Sequence, residues 1–225
     1  MIPLRDTIPS ETVPVVTRLL IATNVLVFLY QAGLGPLAGE SFIRTFGLVP
    51  RRVHVEHLET LRPLLTSMFL HGGWMHLLGN MLYLHIFGDN VEDRLGHARY
   101  LFLYVAAGIV AGIAQVAINP RSGLPMVGAS GAIAGVTGAY FLFLPRARVV
   151  TLVPIFVFLQ IIELPAVFFL FFWFAFQLLL GVGSLGMESA GGGVAFWAHI
   201  GGFLAGMVLG PMLARPRPRA VRPAW

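Results

Sequence analysis

The residues in this sequence that could do chemistry together are one serine, two histidines and one asparagine, each set in an apolar stretch. Ser130 lies in "MVGASGAIAGVTG", His199 in "FWAHIGGFLAG", and His76 and Asn80 in "HGGWMHLLGN". His76 and Asn80 are four residues apart and therefore share one helix face. A serine hydroxyl is a weak nucleophile until a base takes its proton, and histidine is the usual base. These residue types predict acyl transfer, with Ser130 as nucleophile, His199 as base, and Asn80 and His76 as donors to an oxyanion.

The composition indicates that the elements positioning these residues lie in a membrane. Of the 225 residues, 57% are hydrophobic and 11% are charged, and the mean hydropathy is +0.81, whereas a soluble domain carries about 25% charged residues. Cysteine is absent, which excludes a disulfide framework and a thiol nucleophile. The net charge of +5 comes from arginines without any lysine. We expect the lipid bilayer, and not nucleic acid, to be the partner of these arginines.

The hydropathy pattern predicts an all-α polytopic membrane protein with a bundle of six transmembrane helices, since each crossing needs about 20 mostly apolar residues. The expected spans are Leu19–Leu37, Gly73–Phe87, Ala98–Ile118, Val127–Leu144, Leu164–Val182 and Val194–Leu213. A further apolar segment, Val149–Ile162, contains a proline; we expect an interfacial or re-entrant connector there, with a seventh span as the alternative. The expected organisation is a cytoplasmic N-terminal segment (1–18), a membrane domain (19–213) and an Arg/Pro-rich cytoplasmic tail (214–225).

The distribution of arginine predicts the orientation. With six spans, both termini share a side with the second and fourth loops, and that side holds ten of the fifteen arginines. The other five are Arg44, Arg51, Arg52, Arg62 and Arg121. An excess of arginine marks the cytoplasmic side, so both termini are expected in the cytoplasm, as for a protein of a bacterial inner membrane. The second, fourth and sixth spans then run inward, which places the four candidate residues at a similar depth beneath the outer face.

Each of these signals also has a structural interpretation. Runs of small residues in membrane helices usually mark close helix packing, and Gly131-Gly135 and Gly202-Gly206 are expected to have that role. His199 alone could be a histidine that stabilises helix packing through a hydrogen bond. His71 is expected to anchor the membrane interface, and His97 to be solvated in a loop. Only the combination of candidates at one depth favours catalysis over packing.

At this point the sequence resembles the rhomboid intramembrane serine proteases. The resemblance rests on "LTSMFLHGGWMHLLGNMLYL", "GDNVEDRLG", "GASGAIAG" and "AHIGGFLAG", and it extends from the first span to the sixth. It implies that Ser130 is the nucleophile, that His199 is the base, and that Asn80 and His76 support the oxyanion. It further implies a Ser–His dyad that cleaves transmembrane protein substrates near the outer membrane surface, with no cofactor and no metal.

The resemblance also implies supporting roles and shows departures. Glu92 and Arg94 resemble a structural E-x-R pair that follows the second span. Trp173 resembles the tryptophan of a lateral substrate gate, and its partner position before Asn80 is occupied by Gly79. The family often has an aromatic residue four positions after the serine, packed on the base, and here that position is Ala134.

Two other functions stay open on the sequence. A catalytically inactive rhomboid-like protein could bind transmembrane clients without cutting them. A small transporter could also place polar groups inside spans, but transporters commonly pair charged residues there, and these spans contain no such pair. Other intramembrane proteases do not fit, because the sequence has neither an H-E-x-x-H zinc motif nor two aspartates within spans.

Overall fold

The structure, a computed structural model, describes residues 1–155, 158–185 and 194–215. Within these residues the chain forms eight α-helices and three β-strands. The helices are α1 (Val15–Gly33), α2 (Gly35–Phe46), α3 (Pro63–Thr66), α4 (Trp74–Leu95), α5 (His97–Ile118), α6 (Ser130–Phe143), α7 (Ala166–Gly183) and α8 (Phe196–Leu213). Short 3₁₀ turns lie at Pro50–Arg52, Leu58–Leu61 and Ser67–Phe69. The predicted tail, 214–225, lies outside the described residues from position 216 onward.

The all-α prediction is wrong in one region, where the chain forms a three-stranded antiparallel sheet. Its strands are β1 (Ile2–Asp6), β2 (Arg148–Ile155) and β3 (Phe158–Pro165), in the order β1-β2-β3. The described residues of the segment Val149–Ile162 therefore belong to two paired antiparallel strands, and neither to a re-entrant connector nor to a seventh span. Its β-branched valine, threonine and isoleucine residues suit a strand, and Val149, Val150 and Thr151 of β2 are buried.

Four helices in the described part of the chain are long and apolar enough to cross a membrane, namely α1, α5, α7 and α8. The chain is thus a multi-pass integral membrane protein. Helices α4 and α6 correspond to two further predicted spans but are not among these four. Helix α4 runs eight residues beyond the predicted end at Phe87 and carries acidic residues in its last two turns. Helix α6 has only 14 residues, which is about 21 Å of helix and shorter than the roughly 30 Å hydrocarbon core.

Polar contacts explain why α4 continues to Leu95. The buried carboxylate of Glu92 accepts hydrogen bonds from the backbone N–H groups of Val16 and Thr17, each at 2.8 Å, and from the Thr17 hydroxyl at 2.7 Å. Glu92 therefore caps the start of α1, where N–H groups lack intrahelical partners. His97 was expected in a loop. It is instead the first residue of α5, and its exposed ring lies 2.5 Å from the same carboxylate.

Helices α6 and α8 approach until their backbones touch. A Cβ atom placed on Gly202 would lie 2.0 Å from the carbonyl oxygen of Gly131, and one on Gly206 would lie 1.8 Å from that of Gly135. Both pairs predicted to serve close packing are confirmed, and they pack against each other. On its other side α6 meets α5, where a Cβ on Gly135 would lie 2.2 Å from the Cβ of Ala107.

Adding one methyl group at this contact is predicted to destabilise the protein. Gly206→Ala should lower the free energy of unfolding by about 1–3 kcal/mol, because the helices must separate to accept the methyl group. Gly183→Ala is the matched control, since a Cβ at Gly183 would have no heavy atom within 4 Å. Thermal unfolding of the purified protein measures both. Equal midpoints for the two variants would contradict the contact.

The sheet is tied to the helices through Asp6. One oxygen of Asp6 accepts hydrogen bonds from the Tyr140 hydroxyl at 2.6 Å and from the Asn90 amide at 3.0 Å. Burial raises the pKa of Asp6 to about 6, against the opposing effect of the Tyr140 hydrogen bond. The folded state therefore binds the Asp6 proton more tightly than the unfolded chain does.

This shift predicts a pH-dependent effect of Asp6→Asn. Because the folded-state pKa lies above the ordinary value of 3.8, the stability that Asp6 contributes is fully present below about pH 4 and is lost as the pH rises through about 6. The unfolding midpoint of Asp6→Asn minus that of the wild type should be larger at about pH 7.5 than at about pH 4.5. Glu11→Gln, an exposed acid of the same segment, is the control. A difference for Asp6→Asn that does not change with pH would contradict the assignment.

Candidate active site

The four candidate residues line one cavity of about 240 Å³. Helices α4, α6, α7 and α8 each contribute to it. The lining residues are Met75, His76, Gly79, Asn80, Tyr83, Ser130, Ile133, Ala134, Thr137, Trp173 and His199. The structure therefore brings together residues that are as much as 123 positions apart, His76 and His199, as expected from their similar depth.

Ser130 is the first residue of α6, with Ala129 at the N-cap position. The N–H of Ile133 donates to the carbonyl oxygen of Ala129 at 2.9 Å. The N–H groups of Ser130, Gly131 and Ala132 come before this first intrahelical bond. As at any helix start, they have no intrahelical acceptor. They lie at the positive end of the helix dipole. A negative charge that develops beside the Ser130 side chain would be stabilised there.

The Ser130 hydroxyl and the His199 ring are within hydrogen-bonding distance. Ser130 Oγ lies 2.8 Å from His199 Nε2, and His199 is in the first turn of α8. A serine that donates its proton to Nε2 needs that nitrogen unprotonated. In the neutral ring the proton is then on Nδ1. The pair has the geometry of a nucleophile and its general base.

Gln177, which the sequence analysis missed, completes this arrangement. Its Oε1 lies 2.8 Å from His199 Nδ1, so the amide oxygen accepts the Nδ1 proton while Nε2 remains free for Ser130. Gln177 is 8% exposed although α7 is an apolar, aromatic-rich helix. The sequence alone could have indicated Gln177, because an amide within a membrane span is a functional candidate by default.

Two side-chain donors converge next to Ser130. Gly72 N–H donates to His76 Nδ1 at 3.4 Å, so the neutral ring carries its proton on Nε2. A Cβ atom placed on Gly128 would lie 2.6 Å from His76 Nε2 and 3.5 Å from Asn80 Nδ2. The Asn80 nitrogen is buried and has no hydrogen-bond partner among the described residues. An unsatisfied buried donor is costly, and a substrate oxygen in the cavity would satisfy it.

The glycine of G-A-S-G is required by this geometry. Gly128 has φ +123°, a conformation that favours glycine, and a side chain there would collide with the His76 ring. Its N–H donates to the carbonyl oxygen of Ser67 at 2.9 Å.

His71 was expected at the membrane interface. It is instead completely buried, with its ring centroid 5.2 Å from that of His76.

Trp173 lies beside the candidate base. Its ring centroid is 5.9 Å from that of His199 and 6.1 Å from that of Phe203. Ala134 is buried in the same cavity, so the aromatic contact expected from position 134 on α6 is supplied from α7. Gly79 faces open space, since a Cβ there would have no heavy atom within 4 Å.

Comparison with known proteins identifies the family of this chain. The model of the family described as "Rhomboid domain" matches residues 58–216. The chain is 32% identical over 184 residues to RHOMBOID-like protein 5 of Arabidopsis thaliana, covering 81% of this chain and 53% of that protein. It is 37% identical over 126 residues to Rhomboid protease GluP of Bacillus subtilis (strain 168), covering 56% of this chain and 24% of that protein.

A third relative, Putative rhomboid protease YdcA of the same bacterium, is 40% identical over 77 residues, which is 34% of this chain and 38% of that protein. The chain thus spans about half or less of the length of these relatives. The family match nevertheless covers most of the chain and all the residues of the cavity: the chain belongs to the rhomboid family.

Proposed function

We propose that this chain is an intramembrane serine endopeptidase that cleaves transmembrane proteins near the outer membrane face with a dyad of Ser130 and His199. The observation that carries the proposal is the 2.8 Å contact between Ser130 Oγ and His199 Nε2, beside the buried Asn80 nitrogen, which has no hydrogen-bond partner in the described part of the chain. The relative named as a rhomboid protease supports it. An inactive client-binding protein would have no need of a dyad held at hydrogen-bonding distance.

The proposed reaction begins with attack on the scissile peptide. Ser130 Oγ bonds to the carbonyl carbon as its proton moves to His199 Nε2. The carbonyl oxygen becomes an oxyanion, and Asn80 Nδ2–H and His76 Nε2–H donate hydrogen bonds to it, together with the N–H groups at the start of α6. The donors are already in place, so little reorganisation is needed when the charge develops.

The second half returns the enzyme to its starting state. His199 gives its proton to the leaving amine as the C–N bond breaks, which leaves an ester between Ser130 and the substrate acyl group. His199 then takes a proton from water, the resulting hydroxide attacks the ester carbon, and the proton returns to Ser130 Oγ as the C–O bond breaks. His199 thus takes up and gives up two protons in turn: the serine proton leaves with the amine, a proton from water replaces it on Ser130 Oγ, and one water molecule is consumed.

The membrane arrangement is part of the proposal. Six spans result if α4 and α6 cross the membrane together with the four strongly apolar helices. The arginine excess supports cytoplasmic termini on either side of a membrane domain at 19–213, with the segments 1–18 and 214–225 in the cytoplasm. We also propose a bacterial inner membrane as the location. Ser130 at the outer end of the short helix α6 then lies within the membrane, beneath the outer surface.

We place substrate entry between α4 and α7. Gly79 of α4 and Trp173 of α7 both line the cavity, and the open space above Gly79 leaves a gap on that side. Exposed apolar side chains cover the outer surface of α7, as expected for a helix that faces lipid. A transmembrane segment could therefore reach Ser130 laterally from the bilayer.

The first prediction tests the dyad. Ser130→Ala and His199→Ala should each lower cleavage of a model transmembrane substrate by at least about 10³-fold, and the double variant should be no worse than either, because the pair acts as a unit. Ser130→Ala should also lose labelling by a fluorophosphonate. Ser184→Ala and His85→Ala remove the same groups away from the cavity and should behave as wild type. Robust turnover by Ser130→Ala would refute the serine mechanism.

The second prediction tests the oxyanion site. Asn80→Ala should lower kcat by about 10²–10³-fold if its amide is a principal donor, and by less if His76 and the backbone share the role. Labelling by the fluorophosphonate should slow but still go to completion. Kinetics and thermal unfolding are measured on the same preparation. Full kcat with reduced thermal stability would assign Asn80 to helix packing.

A further inference from the structure

We propose that α7 is the element that positions the catalytic base, through Gln177 and Trp173, and that the dyad is competent only while α7 is seated on α8. The inference rests on the proposed function, because it assigns a role to α7 in that reaction. It makes Gln177 and Trp173 positioning residues that act through His199. No other residue of α7 in the described part of the chain contacts the dyad by a polar group.

The first support is the way Gln177 departs from the rest of its helix. Phe172, Phe176 and Leu179 on α7 are each more than half exposed, as expected for side chains in contact with lipid. Gln177 is 8% exposed and turned toward α8, where its oxygen meets His199 Nδ1 at 2.8 Å. An amide with this placement needs a partner, and the partner it has is the base.

The second support is that Trp173 lies one turn before Gln177, so both side chains leave α7 on the same face. Its ring packs against the His199 ring and against Phe203 one turn further along α8. α7 therefore holds the ring by one hydrogen bond and one aromatic contact.

The chemistry explains why this support matters. While Gln177 accepts the Nδ1 proton, Nε2 is the lone-pair nitrogen that faces Ser130. When His199 takes the serine proton, both ring nitrogens carry hydrogen, and the Nδ1–H of the imidazolium needs an acceptor in apolar surroundings. Without Gln177 the ring could adopt the other tautomer and turn a protonated Nε2 toward Ser130. The hydrogen bond should therefore matter more in the transition state than in the resting enzyme.

The support that α7 gives to His199 depends on the packing of α7 against α8. α7 packs mainly against α8 and has fewer contacts with α6 and with the sheet. A displacement of α7 away from α8 would remove the Gln177 hydrogen bond and the Trp173 contact together. While a substrate enters between α4 and α7, His199 would thus be unable to act as a base. It would regain that ability when α7 again packs against α8.

The experiment compares Gln177→Leu and Gln177→Glu in the full chain, with fluorophosphonate labelling rates and with kcat/KM for a model substrate across pH. Gln177→Leu should lower kcat and the labelling rate by about 10–10²-fold, the worth of a hydrogen bond to a charged group, with little change in KM. Gln177→Glu has the same shape and accepts the same proton. It should keep most of the activity and move the acid limb of the pH profile to higher pH, because a carboxylate stabilises the imidazolium.

The pH profiles of these variants can be compared because, apart from position 177, the groups around the His199 ring are the same in each. Around the cavity, α6 presents Ser130 and α4 presents His76, and both are present in every variant. The α7 side chains on the ring, Trp173 and Gln177, are uncharged in the wild type. Gln160→Leu, the same substitution at an exposed position on β3, is the control and should match the wild type.

Trp173→Leu separates positioning from gating. Loss of ring packing should slow labelling by the small fluorophosphonate and cleavage of the substrate by similar factors, whereas a purely gating tryptophan would affect only the substrate.

The inference is overturned if the wild type is labelled at Ser130 while Gln177→Leu reacts at the wild-type rate. It is also overturned if Gln177→Glu leaves the acid limb unmoved. Loss of thermal stability in Gln177→Leu with an unshifted pH profile in Gln177→Glu would make Gln177 structural. Failure of the proposed function looks different, since the wild type itself would then show no Ser130-dependent labelling.

Discussion

Helices α6 and α8 meet backbone to backbone, and the geometry of the dyad depends on this contact. Ser130 and His199 are short side chains on different helices, and a 2.8 Å contact between them requires the helices to touch. Gly202 against Gly131 and Gly206 against Gly135 allow this. A hydrophobic driving force between helices is absent in lipid, so close van der Waals packing of this kind is what holds them together. The glycines of "GASGAIAG" thus serve the serine by bringing α8 to it.

The remaining elements are arranged around the pair of helices α6 and α8. Helix α4 supplies the two proposed oxyanion donors near its N-terminal end, and at its other end the Glu92 carboxylate caps α1. The sheet closes the same end through the contact of Asp6 with Tyr140 on α6. The Glu92 and Asp6 carboxylates accept hydrogen bonds at that end, whereas the buried Asn80 nitrogen at the cavity has no hydrogen-bond partner among the described residues. The contacts that join the elements and the donor available to a substrate thus lie toward different ends of α4.

The sequence predicted the parts of the site that follow from local spacing and span direction. His76 and Asn80 share a face by their four-residue separation, and the common direction of three spans gathers them with Ser130 and His199. The sheet could not be anticipated, because β1 is five residues long and pairs with residues 143 to 150 positions away. Val149–Ile162 has the composition of a span as well as that of a strand, and only the pairing distinguishes them. Gln177 was overlooked because the aromatic residues of α7 dominate its pattern.

Ala134 shows how one small residue can change which helix supports the base. A large side chain at position 134 would lie on α6, the helix that already holds the serine, and would fix the ring within the close-packed pair. With alanine there, the ring takes its aromatic neighbour from Trp173 and its acceptor from Gln177, both on a helix that faces lipid. The rigid α6–α8 contact then sets the distance of the dyad, whereas α7 sets the tautomer and orientation of its base. A substitution that loosens α7 would leave Ser130 and His199 adjacent and yet unreactive, which no inspection of the two residues alone would explain.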